Sequence, residues 1–219
     1  MIPAHQTYPG FFFSFEGIDG SGKTEQSARL IQFLKREGRP ALLVRDPGGT
    51  GVSEEIRRIL LNPQHASMSP VTELLLYEAA RAQLVSEVIL PALKEGKIVI
   101  SDRFTDSTTA YQGHGRALPP DRVEEANRTG ALDLLPDRTY FLDIDWEESC
   151  LRRERESKVS DRMENNAHAF FERVRNGYRE IAKKNPGRVL LLEGKKPREI
   201  LEQEIRQDVI DILRIEEKG

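Results

Sequence analysis

The chain has 219 residues, 38% of them hydrophobic and 32% charged, with a formal net charge of −3; this excludes a disordered segment and argues against a basic protein that wraps nucleic acid. The single cysteine, Cys150, rules out an intramolecular disulfide or a cysteine-rich zinc site, and the four histidines show no ligand spacing. No apolar run approaches a membrane span and residues 1–10 carry no secretory pattern, so the expectation is a cytoplasmic protein with neither a membrane nor a nucleic-acid polymer as partner.

In chain order, Phe11-Phe12-Phe13-Ser14-Phe15 reads as a buried strand. Residues 23–37 have helical periodicity through Ala28, Ile31 and Leu34, closed by Gly38. Ala41 to Val44 is a second strand, ending at Asp46-Pro47-Gly48-Gly49. A helix follows over 52–61, and a long helical pattern over 71–94 contains Pro91, which kinks or ends it. Three more strands are predicted at 97–101, 139–144 and 188–192. Helical stretches are predicted near 104–111, 121–129, 146–157, 164–184 and 197–214. Such alternation predicts an α/β fold: a parallel five-stranded sheet with helices on both faces, in three layers, as one domain over residues 1–219. Ligands of such sheets sit beyond the carboxyl ends of the strands.

The first strand runs into Gly17-Ile18-Asp19-Gly20-Ser21-Gly22-Lys23-Thr24, which fits G-x-x-x-x-G-K-[ST]. The glycines let backbone N–H groups curl around anionic oxygens, and the following helix adds its positive N-terminal end. Lys23 then supplies a charge to the β and γ phosphates of a nucleoside triphosphate, and Thr24 a hydroxyl for Mg²⁺. No N-K-x-D segment reads guanine, and the third strand ends in Ser101-Asp102-Arg103 rather than in the Asp-Glu of a motor ATPase. Asp102 is a second candidate for Mg²⁺, and Arg103 stands where a second anionic substrate is clamped. This is the plan of a nucleotide kinase. Two rivals remain at this level: a kinase of the same architecture acting on another base, and a regulatory NTPase that binds a protein.

Four segments carry a closer resemblance: Phe15 through Thr24; Arg45-Asp46-Pro47-Gly48-Gly49-Thr50; Glu73 through Gln83; and Asp102-Arg103-Phe104 through Tyr111-Gln112-Gly113, with Asp161-Arg162-Met163-Glu164 as a fifth. Together they resemble the bacterial thymidylate kinases, P-loop enzymes that phosphorylate dTMP to dTDP with ATP and Mg²⁺. The resemblance implies the P-loop kinase fold with a short arginine-rich lid over about 152–163, and a homodimer. It further implies that Asp19 accepts a hydrogen bond from the deoxyribose 3′-hydroxyl, that the Asp46–Pro47 peptide is cis, and that Asp46 and Pro47 edge the acceptor site. Asp46 stands where the family usually has glutamate, and Tyr77 where it usually has phenylalanine stacked on thymine. Four residues on, and so on the same helix face, Arg81 would donate to the base O4. Arg103 would fork onto the dTMP phosphate. Tyr111 would lie against the sugar and exclude a 2′-hydroxyl, with Thr108 and Gln112 near the base.

The run Arg152-Arg153-Glu154-Arg155-Glu156-Ser157-Lys158 falls at the family's lid. The phosphate loop itself carries no arginine, so the resemblance assigns charge neutralisation to the lid, with Arg153 and Arg155 as the phosphate contacts. Ser157 occupies a family arginine position, which leaves the catalytic lid residue open. The catalytic set expected from the sequence is therefore Lys23, Arg103, Arg153 and Arg155.

Overall fold

The structure, a computed structural model, describes residues 1–155 and 168–216. A short strand β1 (Ile2–Pro3) precedes β2 (Phe11–Glu16), helix α1 (Lys23–Arg36), β3 (Ala41–Arg45), α2 (Gly51–Leu61) and α3 (Pro70–Leu84). Then come α4 (Leu90–Lys94), β4 (Ile98–Asp102), α5 (Thr105–Thr108), α6 (Pro120–Gly130) and a second short strand β5 (Leu134–Leu135). The described chain ends with β6 (Arg138–Asp143), α7 (Trp146–Arg155), α8 (His168–Lys184), β7 (Val189–Glu193) and α9 (Arg198–Glu216).

The five strands anticipated from the apolar runs form one parallel sheet in the order β3-β4-β2-β6-β7. Alternate residues of β2 serve opposite faces. Phe13 and Phe15 pack with Leu30 and Leu34 of α1 and with Leu201 and Ile205 of α9, while Phe12 packs with Leu84, Leu93 and Phe104. On that second face, toward β6, Phe141 meets Phe171, Val174 and Tyr178. The result is the expected three layers, with both faces of the sheet buried.

Local signals set several boundaries. Gly22 adopts a left-handed conformation (φ 94°) where the phosphate loop turns into α1. Ser69 caps α3 by accepting from the Thr72 N–H at 3.1 Å, with Pro70 in the first turn where its missing N–H costs nothing. The long helix expected over 71–94 is continuous but widens into a π-helical turn at Val85–Ile89, between α3 and α4. Pro91 lacks an N–H and its ring opposes the carbonyl of Glu87; the wider turn just upstream accommodates it. The helix expected to stop near residue 111 continues from α5 as a π-helical segment, Thr109–Gly115. Its glycines signal a stop, but a Cβ on Gly115 would lie 2.7 Å from the Phe170 ring, so close packing against α8 retains the segment. The pairing of β1 with β5 was not anticipated, because two-residue strands carry no periodicity.

Candidate active site

Register brings the informative residues together. Phe15 and Arg45 both lie opposite Asp102, so β2, β3 and β4 end side by side and release the phosphate loop, Asp46 and Arg103 at one sheet edge. Gly17 is required there: its φ is 142°, and a Cβ would lie 2.7 Å from the Leu142 carbonyl oxygen. The buried Lys23 ammonium donates to the Ile18 carbonyl at 3.4 Å and to Asp19 Oδ1 at 3.2 Å. Thr24 Oγ1 donates to Asp102 Oδ2 at 2.6 Å. The other carboxylate oxygen, Asp102 Oδ1, is buried without a hydrogen-bond partner among the described residues.

Arg103 follows β4 in a left-handed conformation (φ 74°), which turns its side chain back toward the phosphate loop. Its guanidinium donates from Nη2 to Asp19 Oδ1 at 2.7 Å and from Nη1 to the Gly17 carbonyl at 2.9 Å, and lies 5.1 Å over the Tyr111 ring. Burial opposes its charge, but Tyr111 and Asp19 outweigh that and hold its pKa well above the ordinary arginine value. Asp19 is its counterpart: burial raises its pKa, yet Lys23 and Arg103 together hold it well below the usual carboxylate range. One carboxylate oxygen is thus shared by the cation of the phosphate loop and the cation of the neighbouring strand.

Beside this cluster opens a cleft. Asp19, Asp46, Pro47, Tyr77, Arg81, Arg103, Thr108, Tyr111 and Gln112, the nine acceptor-site residues anticipated from the sequence, all line it. The Asp46–Pro47 peptide is cis. Arg57, Leu61 and Ser107 line the cleft as well and were not anticipated. Arg57 sits on α2 and donates to the Pro47 carbonyl at 3.0 Å. Burial and then the nearby Arg45 depress its basicity, a strain that an anion in the cleft would relieve. In the sequence it is one more charged residue on an amphipathic helix; only its place after the Pro-Gly-Gly loop marks it.

Arg81 is fully buried with a complete set of partners. Nε donates to Asp46 at 2.5 Å; Nη1 donates to Glu78 at 2.5 Å and to Asn127 at 3.1 Å; Nη2 donates to Thr108 at 2.9 Å and, at a long 3.3 Å, to the Phe104 carbonyl. The shorter aspartate arm therefore reaches the arginine directly. Burial raises the pKa of both Asp46 and Glu78, against the opposing pull of Arg81. Gln112 donates to the buried Glu73 at 2.8 Å.

The lid arginines divide. The Arg153 guanidinium lies 5.0 Å over the Trp146 ring. Arg155 lines a groove with Gly20, Ser21, Gly22, Lys196 and Pro197. Arg152, not singled out beforehand, donates to the Gly20 carbonyl at 3.3 Å and the Gly194 carbonyl at 2.9 Å, joining α7 to the phosphate loop and to the turn after β7. Its neighbour Ser149 donates to the Asp19 carbonyl at 2.7 Å. The remaining lid residues, Ser157, Lys158 and Asp161 through Glu164, lie outside the described residues.

A family model described as thymidylate kinase matches residues 15–205. The chain belongs to the thymidylate kinase family. It is 44% identical over 204 residues to a thymidylate kinase of Pelotomaculum thermopropionicum, an alignment covering 93% of this chain and 94% of the relative. To a thymidylate kinase of Chlorobaculum tepidum it is 47% identical over 188 residues, 82% of this chain and 87% of that one. The crystal structure of a thymidylate kinase from Ehrlichia chaffeensis superposes with a TM-score of 0.73 at 34% identity, covering 94% of this chain and 98% of that one. Thymidylate kinase architecture thus extends over nearly the whole chain. Among the described residues no helix is long and apolar enough to cross a membrane.

Proposed function

We propose that the chain transfers the γ-phosphoryl group of ATP to the 5′-phosphate of dTMP, giving ADP and dTDP. The observation that carries this reading is the shared oxygen of Asp19: Lys23 and Arg103 lie on either side of it, so a donor site and an acceptor site abut at one sheet edge. Bound phosphates would take over the cations that now share Asp19, and free its carboxylate for the sugar 3′-hydroxyl.

In this reading Gly17 through Thr24 hold the triphosphate, with Lys23 at its reacting end. Arg103 and Arg57 hold the acceptor phosphate. An acceptor oxygen attacks the γ-phosphorus in line as the bond to the β,γ-bridging oxygen breaks, and the electron pair leaves with ADP. The acceptor is already anionic, so no base is needed; orientation and charge neutralisation do the catalytic work. Tyr77 stacks on the pyrimidine, and O4 replaces the long bond from Arg81 Nη2 to the Phe104 carbonyl. Thr108, Gln112, Asp46 and Pro47 shape the base end, and Tyr111 closes on the sugar. Of the two lid arginines named from the sequence, Arg155 is better placed than Arg153 to reach a phosphate chain.

Thr24 and Asp102 fit a magnesium site: a hydroxyl and a carboxylate in contact, with one buried carboxylate oxygen left over. Among the described residues no group of three or more metal-binding side chains exists, in keeping with an ion held mainly by substrate phosphates and water. Mg²⁺ bound there would offset charge on the β and γ phosphates. The test is ADP release over a panel of nucleoside monophosphates. Turnover is expected to require an added monophosphate, to be highest with dTMP, and to stop when EDTA is added. ADP release without an acceptor, or a lower rate with dTMP than with every other monophosphate, refutes the proposal.

We further propose a homodimer built on α2 and α3. Val52 and Ile59 on α2, and Val71 and Leu75 on α3, remain exposed, Leu75 at 59%. They recur at helical spacing on two helices packed against each other. Sedimentation is expected to show a dimer, and a Leu75→Asp change to shift it toward monomer. An unchanged dimer in that variant would place the interface elsewhere.

A further inference from the structure

We propose that Glu16 is a positioning residue for the acceptor phosphate: its carboxylate fixes the corner that carries Arg103 and sets the direction of two hydroxyls that accept from the Arg103 guanidinium. The inference rests on the reading above that Arg103 holds the dTMP phosphate.

Glu16 is the last residue of β2, immediately before the phosphate loop, and is 0% exposed. Among the described residues no cation forms an ion pair with it, although the nearby Arg103 acts to lower its pKa. Glu16 Oε1 accepts the Phe104 N–H at 2.7 Å, while the Phe15 carbonyl accepts the Arg103 N–H at 3.0 Å. These two bonds pin both peptides of the left-handed corner that turns the Arg103 side chain toward Asp19. The other oxygen, Oε2, accepts from Ser107 Oγ at 2.6 Å and from the Tyr178 hydroxyl at 3.0 Å. The same two hydroxyl oxygens lie 3.2 and 3.3 Å from Arg103 Nη1.

Each hydroxyl has one proton. While the carboxylate accepts both, the lone pairs of Ser107 and Tyr178 face the guanidinium, and Arg103 is held by acceptors on that side. Place a donor at Oε2 instead and the pattern fails. A hydroxyl that accepts from residue 16 must send its own proton elsewhere; the Ser107 and Tyr178 oxygens lie 2.8 Å apart, so one proton can bridge them, but the other is left facing the guanidinium. Tyr178 keeps its proton for this task, because burial and the neighbouring Glu16 push its pKa well above the ordinary phenol value. The carboxylate is itself expensive to keep charged: burial, and then Asp106, push its pKa up to about 7. A purely structural residue at this position would be better served by a neutral amide.

The test is Glu16→Gln. Glutamine keeps an acceptor for the Phe104 N–H and puts an NH₂ where Oε2 stood. The KM for dTMP is expected to rise about tenfold or more, the effect of losing hydrogen bonds to a charged group, with the KM for ATP within about twofold. At pH 8 the Tm is expected to stay at or above the wild-type value, since a buried negative charge has been removed. A dTMP KM within twofold of wild type overturns the proposal. So does a loss in which both KM values and the Tm change together, as a structural defect would produce. The double variant Ser107→Ala, Tyr178→Phe keeps the carboxylate and removes the relay. Adding Glu16→Gln to that background is expected to have less than a third of its effect on the dTMP KM, and full additivity overturns the relay. If the unmodified protein shows no turnover with dTMP, the functional reading has failed and not this assignment.

Discussion

Replacing Arg103 with alanine is expected to lower kcat/KM for dTMP by roughly 30- to 4,000-fold, the equivalent of about 2–5 kcal/mol for truncating one partner of a buried, hydrogen-bonded charge pair. The reason lies in its setting. The guanidinium is buried, spans Asp19 and the Gly17 carbonyl, and lies over Tyr111, so it is oriented before any substrate arrives. In that setting little of its binding energy goes into ordering the side chain. Arg103→Lys keeps the charge but loses the planar fork and the stacking, and is expected to recover only part of the loss, staying about tenfold or more below wild type. Steady-state kinetics with dTMP and ATP varied independently check both. Near-wild-type kcat/KM in the alanine variant would remove Arg103 from the acceptor site.

Arg81→Met is expected to destabilise the fold by about 3–5 kcal/mol, because it leaves two carboxylates buried without their cation. For a chain of this size that corresponds to a fall in Tm of roughly 6–20 °C. The pH dependence gives the mechanism away. Burial already raises the pKa of Asp46 and Glu78 above their ordinary values with Arg81 in place. Without the arginine both rise further in the folded state. A carboxylate whose folded pKa exceeds its unfolded one costs stability as pH climbs through that interval, since unfolding then releases its proton. The Tm deficit against wild type is therefore expected to be small near pH 5 and to widen toward pH 8. The triple variant Asp46→Asn, Glu78→Gln, Arg81→Met is expected to recover part of the loss at pH 8. A deficit that stays constant across this range would mean that packing, not charge, explains the defect.

Much of the site could be read before the fold was known, because its chemistry is concentrated just after strands. The glycine spacing of residues 17–24 reads as a backbone cradle, and Asp102-Arg103 and Asp46-Pro47 follow apolar runs that read as strands. Tyr77 and Arg81 needed no more than helical spacing to be placed together. The residues missed are those whose side chains give no local sign of their targets. Arg57 lies on an amphipathic helix like many surface arginines, and its approach to Pro47 depends on how α2 packs. Arg152 and Arg153 are adjacent and chemically identical, yet α7 turns one toward the phosphate loop and the other onto Trp146.

The amino-acid sequence alone determined that a parallel sheet would form and that the glycine loop, Asp46 and Arg103 would emerge from its carboxyl edge. Periodicity and glycine placement are local properties, and they are carried by the chain itself. Tertiary structure decided the partners: that Asp19 bridges Lys23 and Arg103, that Asp46 and Glu78 share Arg81, and that Glu16 meets Ser107 and Tyr178. These groups are up to 162 residues apart along the chain. Which charges neutralise one another depends on strand register and helix packing at ångström precision, and no short stretch of sequence encodes that distance.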